Sequence, residues 1–300
     1  MVIVCHALHN SSVLFGSFND SPKSICFVFD SLLADTAGVE MKVAIHQKAK
    51  FTITITLIMG IVAAVLVAGS VVLLRPHQMA KEAVDFKRDV LNIAGIYDAG
   101  KTIDEQFAQV TIKLVDLDAG RFTDKIENVE MFDQRASSKN PELSDKIATE
   151  DDIAKLIRRE KYAKVFLVND KNGLSKIILP VRGYGLSSIM SGFIALDKDL
   201  NTVLGFGFYE QFETPGLGGE VDSPKWKALW IGKKIYSDTG EVKIDLIKGH
   251  IDNQAIDAEY KVDGLAGATL TSNGVRNMLR YWMGDKGFKL FLANLKHGKA

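Results

Sequence analysis

The sequence predicts an α+β protein in which a single N-terminal transmembrane helix leads into one domain, an antiparallel sheet with helices around it. Three observations carry this reading. Residues 51–74 form a run of 24 residues without a charge. At about 1.5 Å per residue that run reaches roughly 36 Å, enough to cross a hydrocarbon core of about 30 Å with some tilt. From Ala163 onward, short apolar runs separated by turn residues follow one another at the spacing of successive strands. Stretches with apolar residues at helical period flank those runs on both sides, which suits helices packed around the sheet.

Composition narrows the function. The 300 residues carry 37 basic and 37 acidic side chains, so no basic field favours a nucleic-acid partner. Both cysteines, Cys5 and Cys26, precede the apolar run. The remainder therefore has no disulfide and no thiolate ligands for an iron–sulfur cluster. Electron transfer, were it the task, would need an organic cofactor or a metal held by other ligands, and no metal site is assigned.

Residues 1–40 sustain no period and read as an upstream extension or a disordered tail, with Met41 as the natural start. Residues 41–75 then comprise a short stub bearing Lys42, His46, Lys48 and Lys50, followed by the span 51–74. That span exceeds the core of about 7–15 residues in a cleaved signal peptide, so it reads as a retained anchor in a lipid bilayer. Lys42, Lys48 and Lys50 precede it and Arg75, Lys81, Lys87 and Arg88 follow it, so charge alone does not orient it. With no charge inside, it is not expected to line an ion route by itself.

Residues 76–300 read as the domain. Met79, Val84, Phe86, Val90 and Leu91 give 76–93 a helical period that Gly95 stops. Thr102 to Glu105 has the spacing of a capping box and starts a second helix. Residues 111–117 and 125–132 alternate as strands, 137–144 read as a loop, and 150–160 read as a helix with Ile153, Leu156 and Ile157 on one face. Strands are expected at 164–168, 177–181, 190–196 and 203–209, with a further candidate at 243–247. Ser223 and Pro224 suit the cap and first turn of a short helix carrying Trp226. Near the end, Val275, Met278, Leu279 and Trp282 form one helical face. Residues 284–287 break it, and Phe288, Leu290, Phe291, Leu292 and Leu295 continue in a second helix. Lys286, Lys289 and Lys296 mark a solvated face.

Three stretches are light enough for a ligand to approach the main chain. Residues 182–188 (Arg-Gly-Tyr-Gly-Leu-Ser-Ser) and 212–220 (Phe-Glu-Thr-Pro-Gly-Leu-Gly-Gly-Glu) each follow a strand. Either is a tight turn or a ligand loop, and neither has the spacing of a nucleotide-binding phosphate loop. Residues 263–274 read Asp-Gly-Leu-Ala-Gly-Ala-Thr-Leu-Thr-Ser-Asn-Gly. Ser272 or Asn273 can cap a helix starting at about Gly274, whose N-terminal N–H groups and positive dipole end suit a phosphate. A glycine turn feeding a capped helix accounts for the same residues without a ligand. Trp226 and Trp230 suit either a stacked ring or core packing. Glu213 is an isolated carboxylate that an acid–base role would also use.

The run D-G-L-A-G-A-T resembles the flavinylation motif of the FMN-binding domain family, in which the threonine after Gly-Ala carries FMN through a phosphoester bond. That threonine is Thr269, with Thr271 as the rival acceptor. The family often has Ser or Thr where Ala266 stands. A threonine hydroxyl needs activation, and no base neighbours Thr269 in sequence, so the resemblance implies a separate flavin transferase using FAD. It also implies FMN contacts from Gly183, Tyr184, Gly185, Leu186 and Ser187, from Glu213, Thr214, Pro215, Gly216, Leu217 and Gly218, and from Gly267, Ala268, Thr271 and Ser272. Residues 41–300 as a whole are similar to the C-subunit family of sodium-translocating NADH:quinone oxidoreductases, through E-T-P-G-L-G, G-A-T-L-T-S and the terminal W-M-G-D-K-G-F-K-L-F-L. The G-A-T motif alone would also fit the related G subunits of Rnf electron-transport complexes, which are usually shorter. The resemblance implies an electron-carrying flavoprotein subunit without an active site of its own. It would sit in the bacterial inner membrane with its domain on the periplasmic side, among B-, D-, E- and F-type subunits that oxidise NADH, reduce ubiquinone and transport sodium. The competing class is a membrane-anchored binding module without chromophore.

Overall fold

The structure, a computed structural model, describes residues 22–171, 173–252 and 254–300, with side chains from residue 50 onward. It divides into two compact units, Met1–Pro76 and His77–Ala300. Helix α1 (Pro22–Ile93) forms all of the described part of the first unit and the opening of the second. The backbone of residues 22–40 belongs to that helix, while residues 1–21 lie outside the described residues.

In the first unit the apolar side chains of 51–74 are exposed all round, Leu73 at 76%. Water does not stabilise so large an unbroken apolar surface. The hydroxyls of Thr54, Thr56 and Ser70 donate to the carbonyls of Lys50, Thr52 and Val67, which suits a medium without hydrogen-bond partners. By length and composition this helix is apolar enough to cross a membrane.

The second unit is built on six antiparallel strands. In spatial order they are β2 (Arg121–Thr123), β1 (Val110–Asp116), β5 (Tyr162–Asp170), β6 (Gly173–Tyr184), β7 (Ile189–Asp197) and β8 (Val203–Glu210). Register pairs such as Leu167 with Ile177 and Ile178 with Ala195 fix the central hairpins. Side chains alternate between faces with the period of a strand. Phe166, Val168, Ile178 and Phe193 take one face, where Val90, Leu91 and Ala94 at the end of α1 cover them. Val165, Ile177, Leu179, Ile194 and Phe206 take the other, against α5 (Thr269–Trp282) and α6 (Lys289–Lys296). There Val275, Met278, Trp282, Phe288 and Phe291 are buried, as the apolar spacing predicts, although Leu290 is exposed.

Shorter elements complete the unit. The Thr102 capping box is present and starts α2 (Ile103–Phe107). α3 (Gln134–Ser137) is one turn, and β3 (Ser144–Lys146) pairs with β4 (Arg158–Glu160). Ser223 caps α4 (Pro224–Ala228) with Pro224 in its first turn. β9 (Asp245–Ile247) lies parallel to β10 (Lys261–Asp263).

Two elements differ from expectation. Residues 125–132 form no strand, because the chain turns back directly after β1. Asp116 accepts from the N–H groups of Asp118 and Ala119, Gly120 takes φ +61°, and β2 has ended by Thr123. Residues 150–160 form no helix, because the Asp152 carboxylate accepts the N–H groups of Leu156 and Ile157. A side-chain acceptor there competes with the helical carbonyls. Lys155 and Ile157 adopt positive φ, and the segment ends as β4.

Candidate functional site

The first turn of α5 is where the candidate residues meet. The helix starts at Thr269, five residues before the expected Gly274. Ser272 and Asn273 are therefore inside it and cap nothing. Instead the Ser272 hydroxyl donates to the Ala268 carbonyl at 3.0 Å and accepts the Leu265 N–H at 2.9 Å, tying the glycine turn to the helix. The N-cap is Ala268, without a side-chain cap, and Gly267 before it takes φ +75°. The N–H groups of Thr269, Leu270 and Thr271 find no acceptor among the described residues. Unsatisfied donors at the positive end of a helix dipole form a natural anion site.

Thr269 and Thr271 differ sharply. Thr269 is exposed and lines a cleft of ≈ 640 Å³. Trp226, Leu229, Leu246 and Leu265 give that cleft an apolar floor. Basic side chains border it as well. Arg276 is paired with Asp245 and His250 with Asp263, but Lys225 and Lys248 have no ion pair among the described residues. Thr271, by contrast, is 0% exposed, and its hydroxyl donates to Glu213 Oε2 at 2.7 Å.

Glu213 is itself buried and fully engaged. Its Oε1 accepts the N–H groups of Leu186, Ser187 and Ser188 at 3.0, 2.9 and 3.3 Å. Burial pushes its carboxyl up, but the Thr271 hydroxyl and the three N–H groups outweigh burial and hold it below the ordinary glutamate value. The glycines beside it are required by space. A Cβ on Gly185 would lie 2.5 Å from Glu213 Oε1, one on Gly218 2.5 Å from Thr271 Oγ1, and one on Gly274 2.4 Å from the Tyr184 carbonyl. Both glycine loops thus converge on α5 through one carboxylate. Its depressed pKa and saturated oxygens do not suit an acid–base catalyst.

Thr269, Gly267 and Ser272 border the cleft. Gly185, Leu186 and Ser187 lie against the Glu213 carboxylate, while Gly183 packs on Met278 and the Tyr184 carbonyl on Gly274, all away from the cleft lining. Thr214, Pro215, Gly216 and Leu217 form an exposed tip whose Leu217 side chain reaches Gly267, while Gly218 is buried beneath it. Trp230 is a core residue, and Trp226 borders the cleft while its Nε1 donates to the Asp263 carbonyl. Lys225, Leu246, Lys248, His250 and Arg276 were not expected here. The parallel pairing of Val262 with Leu246 brings residues 246–250 beside the glycine turn, and no local pattern announces that pairing. Exposed hydroxyl, free N–H groups, unpaired ammonium groups and an apolar floor together fit the phosphate and ring of FMN.

Residues 185–284 match the FMN-binding domain family. The C-type subunit of the Na(+)-translocating NADH-quinone reductase of Pseudomonas aeruginosa is 48% identical over 253 residues, covering 83% of this chain and 97% of the relative. The C-type subunit of the Vibrio vulnificus reductase is 41% identical over 256 residues, covering 85% and 98%. The crystal structure of Shewanella oneidensis NqrC superposes with a TM-score of 0.67 at 37% identity, over 73% of this chain and 99% of that one.

Proposed function

This chain belongs to the C-subunit family of Na(+)-translocating NADH-quinone reductases, an oxidoreductase complex, and on that premise we propose that it carries FMN covalently on Thr269 as an electron relay. The carrying observation is the contrast within one helical turn: Thr269 is an exposed residue lining the cleft at an open helix N-terminus, while Thr271 is buried with its hydroxyl bonded to Glu213. FMN, when bound, supplies one- and two-electron redox chemistry that no side chain here offers.

Each group then has a task. In attachment, Thr269 Oγ1 forms a bond to the FMN-side phosphorus of FAD, the bond from that phosphorus to the bridging oxygen breaks, and AMP leaves. The hydroxyl proton passes to a base of the transferase, since Thr269 has no hydrogen-bonded base of its own among the described residues. The N–H groups of residues 269–271 would donate to the phosphate oxygens of the resulting phosphodiester, and Lys225 and Lys248 would add positive charge there. Trp226, Leu229 and Leu246 offer apolar surface that keeps water from an aromatic ring. The uncharged helix 51–74 anchors the chain in the inner membrane with the domain on the periplasmic side, beside B-, D-, E- and F-type subunits. The length shared with full-length C-type relatives at 48% identity favours this over an Rnf G-type subunit.

The test is denaturing electrophoresis of chain co-produced with a flavin transferase. The wild type is expected to run as a fluorescent flavin band and Thr269→Ala as a dark one. A band of undiminished brightness in Thr269→Ala would remove the proposal.

A further inference from the structure

We propose that Glu213 is the positioning residue of the attachment threonine: acting through Thr271, its carboxylate fixes the first turn of α5 so that the Thr269 hydroxyl is presented for transfer. This rests on the reading of Thr269 as the FMN acceptor. Glu213 does not touch the cofactor in this account. Four hydrogen bonds saturate it, three from the loop at 186–188 and one from Thr271. The last of these is the side-chain tie from the carboxylate to the turn that bears Thr269.

The surrounding residues make the tie rigid. Gly185 and Gly218 close on the carboxylate and the Thr271 hydroxyl with no room for a Cβ. Gln211 Oε1 accepts the N–H of Glu213 at 2.8 Å, and the Ser188 hydroxyl accepts that of Phe212 at 3.1 Å. Two loops are thus fastened to each other before either is fastened to α5. The N-cap Ala268 has no side-chain cap. Apart from the Ser272 hydroxyl, which bonds Ala268 and Leu265, no side-chain hydrogen bond among the described residues other than the tie holds the first turn, so without the tie its first residues fray more readily. Fraying moves the nucleophile. Transfer to Thr269 forms the Oγ1–P bond as the bond to AMP breaks, and such a displacement tolerates little misplacement of the attacking oxygen.

The experiment measures the rate of FMN attachment to the full chain, with FAD and the flavin transferase, by intact mass. Thr271→Val keeps the volume and the three loop bonds but removes the tie, and is expected to slow attachment roughly tenfold, within the about 100-fold that a 1 Å displacement can cost. Thr271→Ser restores the hydroxyl and is expected to restore the rate to within about twofold of wild type. The loss falls on turnover at saturating chain, with KM little changed. Glu213→Gln, which keeps the shape, is expected to fall between Thr271→Val and wild type. Wild-type rates in Thr271→Val, or failure of Thr271→Ser to recover, would overturn the positioning role. Neither outcome bears on whether Thr269 is the acceptor, which Thr269→Ala tests separately.

Discussion

The two sides of the first turn of α5 make opposite use of the same chemistry. On one side Thr269 stands exposed at a cleft with unpaired lysines and a tryptophan-lined floor. On the other, Thr271 is buried under Gly218 and bonded to a carboxylate that also holds a second loop. Two hydroxyls only two residues apart therefore fall into different energetic regimes. An exposed hydroxyl makes few lasting hydrogen bonds and is free to react; a buried one must be paired and becomes structure. On the proposed reading, the division would let a cofactor be attached without disturbing what holds the turn.

Substitutions on the two sides should separate accordingly. Thr269→Ala is expected to eliminate bound flavin while changing stability by no more than about 1 kcal/mol, readable as a nearly unchanged urea midpoint. On the buried side, Gly218→Ala places a methyl group 2.5 Å from Thr271 Oγ1 and is expected to destabilise the domain by about 1–3 kcal/mol, seen as a lower melting temperature. Gly216→Ala, at the exposed tip with φ +77° and open space around it, meets no atom and is expected to cost about 1 kcal/mol from backbone strain alone. Equal losses at Gly216 and Gly218 would erase the distinction.

On the buried side, acid should act through Glu213. The folded-state pKa of Glu213 is depressed, so its contribution to stability is fully present above the ordinary glutamate pKa of about 4.3 and is lost as pH falls through the folded value. Urea midpoints of wild type and Glu213→Gln are expected to differ at pH 7 and to converge as pH falls below about 4. The smallest effect is expected at the cleft rim. Lys225→Met and Lys248→Met replace exposed side chains and should alter stability by no more than about 0.5 kcal/mol. Any slowing of FMN attachment they cause should fade in high salt.

Legibility in the sequence followed the range of the interactions. β5 to β8 each lie over a run of alternating or continuous apolar residues, and the caps at Thr102 and Ser223 use residues three apart, so local pattern sufficed. Residues 150–160 misled because Ile153, Leu156 and Ile157 have helical spacing, while the Asp152 carboxylate that undoes the helix reads as an ordinary polar residue. The start of α5 at Thr269 differs from the expected Gly274 for a related reason: Ser272 has a cap's chemistry but directs it to the Ala268 carbonyl and the Leu265 N–H. At the site, the glycine turn before Thr269 was legible as a place for a phosphate. The partnership of Glu213 with Thr271 spans 58 residues, and nothing in either segment announces it.

The most direct measurement is tandem mass spectrometry of the tryptic peptide 262–276 from chain matured with its transferase, since it contains both threonines. Fragment ions should carry the FMN phosphoester on Thr269 and leave Thr271 unmodified. Flavin on Thr271, or a peptide of unmodified mass from a fully matured chain, would contradict the account.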